Sequence, residues 1–150
     1  MTPVAAFETF FRNQLLGIAE VRAFACPTDR IEKIYNMVVP PGTVVPYIVL
    51  NVIPLLDLKG QAKLTVMTRL EVDLKLVTDF PVPETLDPAI AAVNEHFETA
   101  HAFETSFSGG PDYRISVRHK RAINFIEQAA SADQRLLHRG GTYDALIGAL

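Results

Sequence analysis

The side chains of this chain that could do chemistry fall into a few groups, and spacing decides what each can do. Arg114, Arg118, His119, Lys120 and Arg121 form its basic cluster. Side chains alternate along a strand, so Arg114, Arg118 and Lys120 would share one face while His119 and Arg121 take the other. Such a row can hold a phosphate, or it can pair with carboxylates on a neighbouring strand; the second reading is preferred. His96 and His101 stand about 140° apart on a helix, so they do not share a face as metal ligands would, and both read as solvated residues. Asp73, Asp79 and Glu84 have no paired-carboxylate spacing, and Ser106 and Ser108 lie in no nucleophile elbow. Gly109-Gly110-Pro111-Asp112 lacks the lysine and hydroxyl residue of a phosphate loop. No catalytic, cofactor-binding or metal-ligating residues are assigned, and the chain is not read as an enzyme.

Composition narrows the class. The chain has 150 residues, of which 49% are hydrophobic and 21% charged, the profile of one folded domain over residues 1–150. Its formal charge of −3 gives no general attraction to nucleic acid or anionic membrane. The lone Cys26 permits no internal disulfide or thiolate metal site and reads as a small buried thiol. Neither a secretion leader nor a membrane-spanning run is recognised.

The element that must position the charges is the stretch Leu64–Val77. Leu64, Val66, Leu70, Val72, Leu74 and Leu76 alternate with Arg69, Glu71, Asp73 and Lys75, which predicts a half-buried strand with one charged face. At about 3.3 Å per residue it would span about 45 Å, more than the roughly 40 Å diameter of a chain this size. It is therefore expected to bend, to bulge, or to project as a sheet edge or intersubunit hairpin.

The other elements follow in order. Thr2-Pro3 caps a helix whose stripe is Phe7, Phe10, Phe11 and Leu15 and which stops at Gly17. Ala23–Arg30 reads as a connection and Ile31–Val39 as a strand ended by Pro40-Pro41-Gly42. Pro46–Pro54 reads as a central strand covered on both faces, joined through Leu58–Gln61 to the long strand. After a proline-rich exit, Leu86, Ile90, Val93 and Phe97 predict a helix ending near His101. Ser106–Asp112 is a loop. Tyr113, Ile115, Val117, Ile123 and Phe125 share one parity, predicting a second long strand to Glu127. Ala129–Asp133 is a turn. A last strand, Gln134–Leu137 with Thr142–Ile147, is expected to be interrupted by a bulge or kink at Gly140-Gly141, with Gly148–Leu150 frayed. The fold class is α+β: a mostly antiparallel, curved sheet of about five strands with two main helices on one face.

Several segments carry a resemblance. Arg30-Ile31, Val38-Val39-Pro40-Pro41-Gly42-Thr43 and Val45-Pro46-Tyr47-Ile48-Val49-Leu50 resemble the early part of phage tail-terminator and tail-completion proteins, minor tail proteins of long-tailed bacteriophages. The similarity continues through Arg69–Lys75, the helix Leu86–Phe97 and Arg139-Gly140-Gly141-Thr142-Tyr143, and so covers most of the chain in order. It implies a protomer that closes into a ring, commonly a homohexamer, which caps the tail tube, stops its polymerisation and offers a joining surface to the head connector. The implied partners are further copies of the chain, the tail tube protein and the connector or neck protein, with incidental contact to DNA in the lumen and none to membrane. The implied location is the virion, and the host cytoplasm during assembly. Arg69, Glu71, Asp73, Arg114, Arg118 and Lys120 are then expected at a subunit interface or the lumen. No cofactor is implied.

Three alternatives stay open. The chain could be another neck or tail-completion component. It could be a small-ligand or enzymatic domain, with His119 and Arg121 converging in a cleft beside the Leu86–Phe97 helix. It could also contact nucleic acid through Arg114, Arg118, Lys120 and Arg121.

Overall fold

The amino-terminal residues do what their types require. In the computed structural model, which describes residues 2–25, 33–60, 65–100, 102–107, 111–128 and 135–150, the Ala5 amide donates to Thr2 Oγ1 at 3.2 Å and Pro3 sits in the first turn. Helix α1 (Pro3–Leu16) buries Phe7, Phe10, Phe11 and Leu15 and ends at Gly17. Then follow α2 (Ala19–Ala25), β1 (Ile34–Asn36), β2 (Tyr47–Lys59), β3 (Thr65–Thr78), α3 (Leu86–Thr99), β4 (Ala102–Ser106), β5 (Asp112–Gln128) and β6 (Arg135–Ala149). Leu64, Cys26, His101, the Arg30-Ile31 pair, the glycines of the 106–112 loop and the 129–133 turn lie outside the described residues.

The strands form one curled sheet in the order β1-β2-β3-β6-β5-β4, antiparallel except for the short β1–β2 pair. The α+β class is as expected, with one strand and one helix more than the sequence indicated. Both extra elements are short. Seven-residue α2 buries only Val21, Phe24 and Ala25, and five-residue β4 lies against the start of β5.

The helices cover one face. Leu70, Val72, Leu74 and Leu76 of β3 join Phe7, Phe11, Val93, Phe97 and Tyr143 in a single core. Phe11 stacks on Phe97 with centroids 5.1 Å apart, and both rings tilt against Tyr143. The Tyr143 hydroxyl donates to Asn94 Oδ1 at 2.8 Å; burial, and secondarily Glu98, pushes its pKa up. His96 is half-buried rather than solvated: it bonds Gln14 Oε1 at 2.8 Å, tying α3 to α1, with its ring edge-on to Phe97.

Five expectations are corrected. β3 is no sheet edge, because β2 and β6 pair along both its sides. β2 is fully covered on one face only: Ile48, Leu50 and Val52 are buried, whereas on the other Tyr47 is buried and Val49, Asn51 and Ile53 stay partly exposed. β1 stops at Asn36, where Met37 at φ 62° turns the chain out of the sheet. β6 runs unbroken through Gly140-Gly141, because those glycines admit close neighbours instead of making a bulge. A Cβ on Gly140 would fall 1.9 Å from the Leu74 carbonyl oxygen. The end of β6 is paired too, Gly148 with Arg114 and Ala149 with Tyr113.

Candidate functional site

The charged residues gather on the face that no described helix covers. Alternation along β3 sends Arg69, Glu71, Asp73 and Lys75 there. β6 contributes Thr142 and Asp144, the register partners of Asp73 and Glu71. β5 contributes its cations, by a route the sequence parity did not reveal. The β5–β6 register shifts between His119 and Arg121, leaving Lys120 as the extra residue of a bulge. Past that bulge every side chain changes face.

Two assignments change as a result. Arg121 joins Lys120 on the charged face, with its guanidinium 3.6 Å from Glu71. Ile123 and Phe125 do not continue the buried row of Tyr113, Ile115 and Val117; they lie on the uncovered face beside Gly140 and His138. His119 stays on the helix side, its ring 5.2 Å from that of Tyr143. His119 and Arg121 therefore point to opposite faces and do not converge in a cleft.

Pairing on the charged face is reciprocal. Lys120 Nζ donates to Glu71 Oε2 at 3.0 Å and stands 4.0 Å from Asp144, which Arg69 approaches at 3.8 Å. Thr142 donates to Asp73 at 2.8 Å, and Arg114 to Glu104 at 3.2 Å. The Lys120 hydrogen bond, helped by Arg121 and Arg69, holds the Glu71 carboxyl below its ordinary range. Arg118 has no ion-pair partner among the described residues; it lines a groove of about 420 Å³ with Arg69, Ser116 and Asp144, whose buried Oδ1 accepts no hydrogen bond. The structure thus brings Arg69, Glu71, Asp73, Arg118 and Lys120 together and leaves Arg114 aside with Glu104. Most of these cations are matched by carboxylates, which favours the cross-strand reading over a phosphate patch.

An apolar corner adjoins this network. Phe125 stacks on the His138 ring at 4.4 Å, Lys75 Nζ stands 5.7 Å over Phe125, and His138 Nε2 meets Glu127 at 2.6 Å. Burial, and then Glu127, raises the pKa of nearby Tyr47. Compared with protein-family profiles and with curated proteins, the chain matches none.

Two sheet edges complete that surface. β4 pairs only with Asp112–Ser116 of the 17-residue β5, so among the described residues no strand pairs with the outer side of β5 from Arg118 to Glu127. β1 pairs only with Ile48–Leu50 of the 13-residue β2, and among the described residues no strand pairs with the outer side from Asn51 to Leu58. Exposed apolar side chains mark both stretches: Leu56 at 55% on β2, and Phe125 at 43% and Ile126 at 57% on β5. Among the described residues no three His, Cys, Asp or Glu side chains converge as metal ligands, and no helix is long and apolar enough to cross a membrane.

Proposed function

We propose that this chain is a structural assembly protein of a phage-type tail, a terminator that closes into a ring on the finished tail tube, stops its growth and presents a surface to the head connector. The observation that carries the reading is the pair of open sheet edges beside an uncovered, charge-paired face, since unpaired ladder groups and exposed apolar side chains are the features by which one protein adds to another. The segment-by-segment sequence resemblance supplies the identity of the particle. In this reading the partners are other copies of the chain, commonly six, the tube protein and a neck protein. The work is mechanical rather than catalytic, and its place is the virion. Arg69, Glu71, Asp73, Arg118 and Lys120 then belong to the face turned towards a neighbour or the lumen.

The experiment is a capping assay joined to a mass measurement. Light scattering on the 16.6 kDa protomer should give a species near six copies, alone or after tube protein is added, and saturating protein should shorten tubes assembled in vitro. Reversing Arg118 and Lys120 to glutamate should weaken ring formation or tube binding while leaving the circular dichroism unchanged. Unaltered tube lengths together with a protomer that stays monomeric would remove the reading.

A further inference from the structure

The two open edges differ from one another and lie on opposite sides of the sheet. β2, β3, β6 and β5 alternate in direction, so β2 and β5 run opposite ways. A neighbouring copy whose rotation leaves the strand direction roughly unchanged therefore brings its β2 antiparallel to the β5 of the first. Contacts between unlike patches of identical chains are heterologous, and they propagate into rings or filaments.

The alternation of faces restricts the register. Val52 and Ile126 point to the helix side, whereas Ile53 and Phe125 point to the uncovered face. A slip of one residue would set every pair on mismatched faces. Placing Ile53 opposite Phe125 matches the faces and also sets Val52 beside Ile126. Beyond the irregularity at Pro54/Leu56, it places Leu56 beside Ile123. Exposed Leu56, Phe125 and Ile126 thereby join partly exposed Ile53 and Ile123 and buried Val52 in apolar cross-strand pairs. Pro54 offers no donor, so the pairing rests on residues to either side of it.

The same register gives a slope that a closed sheet can use. Within one protomer Phe125 lies level with Tyr47, through His138 and Val77. Ile53 is six residues further along β2, a rise of about 20 Å at roughly 3.3 Å per residue. Four strands at about 4.8 Å make a width of about 19 Å. The strands would then incline by about 45°, at the upper end of the roughly 35–45° that closed barrels adopt.

We propose that protomers join by antiparallel addition of the β2 edge of one copy to the β5 edge of the next, with Ile53 opposite Phe125, continuing one sheet through the ring. The proposal names the surface on which the self-association put forward above would occur, and rests on that part of the reading.

Disulfide trapping tests it in a Cys26→Ala background. Directly opposed residues on antiparallel strands lie within the span a disulfide can bridge. Phe125 is exposed and Ile53 partly so, and cysteine should be tolerated at both, with circular dichroism as the check. Under mild oxidation, Ile53→Cys mixed with Phe125→Cys should give a covalent dimer that neither gives alone. The chain carrying both substitutions should give a ladder that ends at the copy number of the ring. Oligomers by light scattering without any ladder would overturn the interface yet leave self-association standing. Phe125→Cys dimerising alone would overturn it in favour of two-fold β5 pairing. A protomer that stays monomeric, with Phe125→Cys trapped only by a cysteine-bearing tube protein, would overturn it by giving the edge to another partner.

Discussion

Along β3 the two faces of the sheet alternate residue by residue, yet they carry different burdens. Leu70, Val72, Leu74 and Leu76 are at most 1% exposed and lie under three helices. Arg69, Glu71, Asp73 and Lys75, the residues between them, meet side chains of the sheet and solvent among the described residues. Burial of apolar area is the large favourable term in folding, whereas solvated ion pairs each contribute little. The helix-covered face should therefore set stability, and the uncovered face should be free to serve association. Substitutions on neighbouring residues of one strand can separate the two.

The largest effect belongs to the covered face. Leu74→Ala should cost about 3 kcal/mol by denaturant unfolding, as the removed side chain leaves a cavity in a packed core. A loss below about 1 kcal/mol would mean that the core can collapse around the site, and the division between the faces would lose its basis.

Next in size is the glycine pair where β6 crosses β3. At Gly140 an added methyl meets backbone, the Leu74 carbonyl, so the two strands must part; at Gly141 it meets the His119 ring at 3.0 Å, and a side chain can move. Gly140→Ala should cost about 2 kcal/mol, and Gly141→Ala clearly less. Equal losses would show that crowding by the β3 backbone is not what requires Gly140.

Much of this division could be read from the sequence, and the failures have physical causes. The β3 alternation, the Thr2-Pro3 start and the stripe from Leu86 to Phe97 are local patterns with one period each, and the structure keeps them. Alternation through Tyr113–Phe125 also has one period, but it misled, because the Lys120 bulge moves Ile123 and Phe125 to the other face. A bulge is settled by what the partner strand presents, here Thr142 and Tyr143, and no spacing within β5 announces it. Short α2 and β4 escaped for a related reason: seven and five residues hold too little periodicity to stand apart from a connection, and packing rather than propensity makes them. At the candidate site the types of the charged residues were legible and their pairing was not. Glu71–Lys120 joins residues 49 positions apart on strands separated by β6.

The smallest effect tests the uncovered face by pH. Bonding to Lys120 keeps the Glu71 carboxyl below its ordinary value of 4.5. A carboxylate with a lowered native pKa contributes stability that is complete above the unfolded value and is lost as pH falls through the native one. Glu71→Gln should therefore cost at most about 1 kcal/mol near neutrality, because the pair is solvent-screened. Its melting temperature should also fall less steeply than that of the unsubstituted protein as the pH is lowered from about 4.5. Identical slopes would show that the Lys120 contact adds nothing to folding. Glu71 and its partners would then be free for association alone, which draws the contrast between the two faces more sharply still.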